Sequence, residues 1–145
     1  MNNDQAAGLF MGIFGLFCCG GIVIGLAIQA FICYLLSNAL KAIPASHRKQ
    51  EPNMVWLLMI PLFNIVWNFF VYPKISDSFK SYFDSVGRTD VGDCGRQIGL
   101  IYCILVALCV IPYVNALTGL GALVLLILYL VKANELKNKI TPAGA

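Results

Sequence analysis

The side chains able to carry polar chemistry in this chain are few and far apart. His47 is its single imidazole, and a nucleophile–base pair or a metal site would need further ligands or a serine brought to it. It stands among Pro44, Arg48, Lys49, Glu51 and Pro52, which read as a solvated loop. Of the six cysteines, Cys18, Cys19, Cys33, Cys103 and Cys109 fall in apolar runs as small hydrophobes, with no Cys-x-x-Cys pair and no companion histidines. Cys94, in a loop beside Asp93 and Gly95, is the thiol to test for acylation or oxidation. Asp77, Asp84, Asp90 and Asp93 match no calcium-loop spacing and read as partners of Lys80, Arg88 and Arg96. No catalytic residue, metal site or cofactor is expected, and the protein is read as no enzyme.

The elements that hold these residues are dominated by three uncharged runs, 5–40, 52–73 and 97–131. A helix of about 20 apolar residues crosses roughly 30 Å of hydrocarbon, and each run is at least that long. Hydrophobic residues make up 59% of the chain and charged ones 12%, with mean hydropathy +0.80, more apolar surface than a soluble core of this size can hide. The expected fold class is therefore all-α: an integral membrane helical bundle of four hydrophobic helical segments plus one amphipathic interfacial helix, in a single domain over 1–145. The basic residues all lie outside the runs and form no stripe interleaved with aromatics, so no nucleic-acid partner is expected. Lacking Lys or Arg before its first apolar run, the chain is expected to keep that segment as a helix and not as a cleaved signal.

The first helix is expected over 8–40, ending near Lys41 and Pro44. The second segment, 54–72, is about 28 Å long as a helix and either crosses or turns back at Pro61 to Asn64. Ile75, Phe79, Tyr82, Phe83 and Val86 share one helical face, with Ser76, Asp77, Lys80, Ser81 and Asp84 opposite. That pattern predicts an amphipathic helix over 74–87, lying along the headgroups or extending the helix before Pro73. The last run is too long for one span and reads as a hairpin with arms 97–111 and 116–137, broken around Pro112 and Asn115.

Small residues and buried amides supply the remaining signals. Gly95, Gly99, Cys103 and Ala107 recur every fourth position, and Gly8/Gly12 and Gly21/Gly25 give the first helix two GxxxG pairs; these faces are expected to pack against other helices. Ile60-Pro61-x-x-Asn64 is echoed by Ile111-Pro112-x-x-Asn115, where each proline frees a carbonyl that a nearby amide could satisfy. Gln29, Asn64, Asn68, Asn115 and Thr118 are the polar groups placed at membrane depth, as interhelical glue or as a solute-lining patch.

Orientation turns on the second segment. If 54–72 crosses, Lys41, Arg48 and Lys49 face the seven other basic residues across the bilayer, and both termini are cytoplasmic. If it turns back, all ten basic residues share the cytoplasmic face with the C-terminus, and the N-terminus lies outside. Charge favours the second arrangement; length favours four crossings, which is the expectation carried forward. Trp56 and Tyr72 suit interfacial belts in both.

The block from Glu51-Pro52 through Trp56, Ile60-Pro61-Leu62-Phe63-Asn64 and Trp67 to Ile75 and Ser78 resembles one in uncharacterised bacterial multi-pass membrane proteins of unknown function. Phe69 and Phe70 stand where that family tends to carry a further proline. The resemblance covers about a fifth of the chain; it implies a multi-pass protein of the bacterial cytoplasmic membrane and transfers no activity. The expected function is that of a non-enzymatic structural, assembly or accessory subunit acting through helix packing, with the lipid bilayer and either a homo-oligomer or a larger membrane protein as partners. The alternative is a small oligomeric transporter or pore for a neutral solute, built around Asn64, Asn68 and Asn115.

Overall fold

A computed structural model describes residues 2–111 and 113–140, with only the backbone at Ala116. Among these residues the chain is all helix and turn: α1 (Asn3–Ala42), a 3₁₀ helix (Pro52–Met59), α2 (Phe63–Ser85), α3 (Arg96–Leu108) and α4 (Asn115–Ile140). Pro112 lies outside the described residues, so the break expected there is left aside.

α1 is about 60 Å long, longer than the segment read from the sequence, because nothing between Asn3 and Ala42 interrupts helical geometry. Its end is set at Ile43, which turns extended before Pro44. Arg48 then folds back over the open carbonyls, donating from Nε to Leu40 O at 3.0 Å and from Nη2 to Ile43 O at 2.9 Å. A cation at a helix C-terminus also meets the negative end of the dipole. Only the last third of α1, from Ile32 to Leu40, is buried; the most apolar part of the helix, nearer the N-terminus, has none of its residues buried.

No single helix forms over 54–72. Pro52 starts a 3₁₀ helix about 16 Å long, Pro61 prevents its continuation, and the chain reverses through Ile60, Pro61 and Leu62 into α2. The two arms run side by side: Trp67 Nε1 donates to Met54 O at 2.9 Å, and Lys49 N donates to Ser78 Oγ at 2.8 Å. α2 passes through Pro73 without a stop, so the amphipathic stretch is the second half of this helix and no separate element. Ile75, Phe79 and Phe83 are buried as its pattern predicts, but Ser76, read as facing water, is buried too, because α4 covers that side with Tyr129. Of the two placements read from the sequence, the stretch takes the second, extending the helix before Pro73 into the centre of the bundle.

Gly95 (φ +82°) and Cys94 (φ +53°) make the left-handed turn that aims the chain into α3. Asp93 fixes that turn, accepting from Gly95 N at 3.1 Å and Gln97 N at 3.0 Å. These N–H groups, Gln97 first, hold the Asp93 carboxyl below its usual value. α3 and α4 then pack as an antiparallel pair, with turns or bends at residues 109–111 and 113–114 between them. Arg96 Nη1 meets Asp77 Oδ1 at 3.4 Å, and Lys80 pairs with Asp84 and Arg88 with Asp90, which gathers the charged loops at one end of the bundle.

Candidate functional site

Two polar arrangements stand out within the apolar body. The first is the helix break. In 3₁₀ geometry the carbonyl of Leu58 would accept from the N–H of residue 61, and that residue is proline. Gln29 on α1 supplies the missing donor, with Nε2 3.4 Å from Leu58 O. Neighbouring carbonyls are served in the same way: Cys33 Sγ lies 3.6 Å from Val55 O, and Trp67 reaches Met54 O. Three side-chain donors therefore tie the 3₁₀ helix to α1 and α2. The Leu57 carbonyl keeps its 3₁₀ partner, accepting from Ile60 N at 3.1 Å.

Asn64 was expected to serve those carbonyls, and it does not. Its Oδ1 is buried and has no hydrogen-bond partner. Gln29, on α1, serves the Leu58 carbonyl instead. Asn64 instead lines a cavity of about 320 Å³ with Gly25, Gln29, Leu58, Met59 and Pro61. Asn68 is buried within α2, while Asn115 is exposed at the start of α4, near the Cys109–Thr118 contact of 3.3 Å. The three asparagines stand in three separate settings and do not form one lining.

The second arrangement is a junction of α2, α3 and α4. Tyr129 donates its hydroxyl to Tyr72 O at 2.8 Å and lies 3.1 Å from Ser76 Oγ. Its ring meets Tyr72 edge-on at 4.8 Å between centroids, and Tyr72 meets Tyr102 at 4.9 Å. Gly99 makes room for this: a Cβ there would stand 3.0 Å from the Tyr129 ring and 3.1 Å from Tyr72 Cβ. Cys103, one turn on, is fully buried, Gly95 faces Tyr129 and Lys132, and Ala107 is half-buried. The ridge of small residues therefore faces into this bundle at Gly95 and Gly99. Gly21 and Gly25 differ, with no atom within 4 Å of a Cβ at either position. Tyr72, read as an interfacial residue, sits in the core because α3 and α4 close over it; Trp56 remains exposed.

At the charged end His47 is half-buried, with Nδ1 3.3 Å from Ser81 Oγ and its ring edge-on to Tyr82. Cys94 is buried, not presented, and burial pushes its thiol up to about 11. Among the described residues no three His, Cys, Asp or Glu side chains are grouped to hold a metal ion. No family model, no curated protein and no solved structure matches this chain.

Proposed function

We propose that this chain is an integral protein of a bacterial cytoplasmic membrane that works by helix packing, as a structural or accessory subunit beside a larger partner or within its own oligomer. The distribution of exposed apolar surface carries the reading. Two helices, Asn3–Ala42 and Leu117–Ile140, are long and apolar enough to cross a membrane. The turns at one end of the bundle are apolar as well: Leu62 is 85% exposed and Tyr113 98%, with Leu117 in the first turn of α4 at 78%. Turns in water are polar, and contiguous apolar surface of this extent wants lipid or a partner. The charged loops lie at the opposite end, where the positive-inside bias places the cytoplasm.

In this arrangement α1 crosses, with its N-terminus outside and the C-terminus of the chain in the cytoplasm. The segment of the 3₁₀ helix and early α2 is re-entrant. Its arms are about 16 and 15 Å long, short of the roughly 30 Å of hydrocarbon, and its irregular backbone is shielded by α1. Contact between His47 and Ser81 supports one side for both loops over four crossings. The outer half of α1 is the docking element: Gly8, Gly12, Gly15 and Cys19 prolong the face that carries Cys33, Ser37 and Leu40 into the bundle. The bacterial multi-pass proteins that the Pro–Trp–Ile-Pro-x-x-Asn block resembles are its proposed kin.

Single-cysteine reporters at Asn3, His47, Asp84 and Lys139 in an otherwise cysteine-free chain test the topology. Asn3 is expected to react from outside and the other three from the cytoplasm. Labelling of His47 and Asp84 positions from opposite faces would overturn the re-entrant segment. Native mass measurement after gentle detergent extraction tests the assembly role, with particles above the 15.8 kDa chain expected. A strict monomer with no companion protein would refute it.

A further inference from the structure

The two helices long and apolar enough to cross a membrane, α1 and α4, leave a groove of about 290 Å³ between their C-terminal parts. Both run toward the charged end of the bundle: α1 leads into the loop whose His47 meets Ser81, and α4 brings Lys132 against Gly95. The groove therefore has a direction. Its inner wall is Leu35, Leu130 and Val131, and its mouth, roughly one to two turns nearer the charged end, carries Asn38, Asn134 and Lys137. This is the order, apolar then polar, of a phospholipid in the leaflet at that end. The mouth also has one sign of charge. No carboxylate lines it, and Glu135, the one acidic residue of α4, is held instead by Lys139 at 2.8 Å and Lys132 at 3.5 Å. Lys41, exposed one turn past Asn38 on the same side of α1, adds a second cation. Asn38 and Asn134 both reach the surface, and among the described residues neither side chain is taken up by a hydrogen bond. Basic pockets between membrane helices at their cytoplasmic ends are where anionic headgroups bind.

We propose that this groove binds an anionic phospholipid of the cytoplasmic leaflet. Its phosphate meets the Lys137 ammonium and takes hydrogen bonds from the amides of Asn38 and Asn134, while an acyl chain lies along Leu35, Leu130 and Val131. A zwitterionic head would bring a cation that finds no carboxylate in the wall. A soluble phosphate would leave the apolar wall uncovered. The site rests on the membrane reading above, which supplies the leaflet and its side.

The test uses the full chain reconstituted in phosphatidylcholine vesicles and washed with alkaline carbonate. A trace of phosphatidylglycerol with a photoreactive diazirine in its acyl chain is compared with phosphatidylcholine carrying the same chain, and labelled peptides are mapped by mass spectrometry. The anionic probe is expected to label the peptides of Leu35 and of Leu130 and Val131 at least about fivefold more, the worth of one cation near a membrane surface. Lys137→Gln should cut that preference about fivefold, and Lys137→Arg should keep it. Lys139→Gln, which removes a cation already paired with Glu135, should change it little. Excess glycerol phosphate in the buffer should not compete. Equal labelling by the two probes overturns the site and leaves the membrane reading intact, as does a preference that survives Lys137→Gln, is lost equally in Lys137→Arg or falls as far with Lys139→Gln. Suppression by glycerol phosphate would assign the groove to a soluble anion and overturn the lipid. Release of the chain by carbonate overturns the membrane reading and the site together.

Discussion

His47 Nδ1 stands 3.3 Å from Ser81 Oγ, although an apolar run the length of a bilayer crossing separates the two residues in the chain. The reversal at Pro61 produces this contact, and Lys49 N on Ser78 Oγ repeats it one turn away. Cysteines introduced together as His47→Cys and Ser81→Cys, in a chain lacking its native cysteines, should therefore be joined within one molecule by a short bifunctional maleimide in intact membranes. The pair Asn3→Cys and Ser81→Cys serves as the control and should stay unlinked. If the stretch between the two loops crossed instead, the first pair would also stay unlinked and would react from opposite faces.

Gly99 and Gly21 look alike in sequence and differ in what surrounds them. A methyl at Gly99 meets the Tyr129 ring at 3.0 Å and Tyr72 Cβ at 3.1 Å, both held by the hydroxyl of Tyr129 on the Tyr72 carbonyl. Overpacking of this kind costs about 1–3 kcal/mol, so Gly99→Ala should lower the detergent melting temperature of the chain. Gly21→Ala meets nothing within 4 Å and should leave melting unchanged or raise it slightly through better helix propensity. A loss of oligomer mass with Gly15→Ala, which also meets nothing within 4 Å, would locate the partner on the outer half of α1. Equal destabilisation by Gly99→Ala and Gly21→Ala would contradict the packing described for Gly99.

Much of this architecture was legible because hydrophobic period and proline act locally. The two long apolar helices, the buried face of Ile75, Phe79 and Phe83, the hairpin of α3 and α4 and the break at Pro61 are all written in short windows of sequence. What escaped depends on partners distant in the chain. Ser76 reads as a wet-face residue until Tyr129 arrives from α4, and Tyr72 reads as interfacial until α3 covers it. Arg48 looks like a solvated loop cation, yet it closes the end of α1, a role carried by the turn at Pro44 and by no motif. Gln29, read as interhelical glue, meets the open carbonyl of Leu58 from α1, while Asn64, read as the amide for such carbonyls, does not, a division that sequence spacing cannot give.

Cys94 reads as an available loop thiol, and its burial reverses that expectation. Only the thiolate attacks electrophiles, and a thiol pushed up to about 11 leaves roughly one molecule in a thousand ionised at pH 8. With the other cysteines replaced, alkylation of Cys94 by iodoacetamide should be far slower than that of an ordinary exposed thiol. Its rate should climb about tenfold per pH unit from 7 to 10, because each unit multiplies the thiolate fraction by that factor. A rate that levels off near pH 8.5, the ordinary thiol range, would show that the loop over 88–95 opens readily and that Cys94 is presented after all.

Asp93 is the residue on which the entry to α3 depends. Its two oxygens take the N–H groups of Gly95 and Gln97, and that pairing holds its carboxyl below the usual value. Because the folded state favours the ionised form, the stability it adds is complete above the unfolded value near 3.9 and is lost as pH falls through the lower, folded one. Asp93→Ala should cost about 1 kcal/mol at neutral pH, the usual loss for a helix cap, whereas Asp93→Asn keeps an acceptor and should cost less. Melting curves of wild type and Asp93→Ala should accordingly converge as pH drops below about 4. Added salt should leave the gap between them largely intact, since fixed hydrogen bonds and not long-range attraction hold the turn. A gap that closes at high salt would mean that Asp93 acts through Lys132, the nearby cation, and that the cap contributes little.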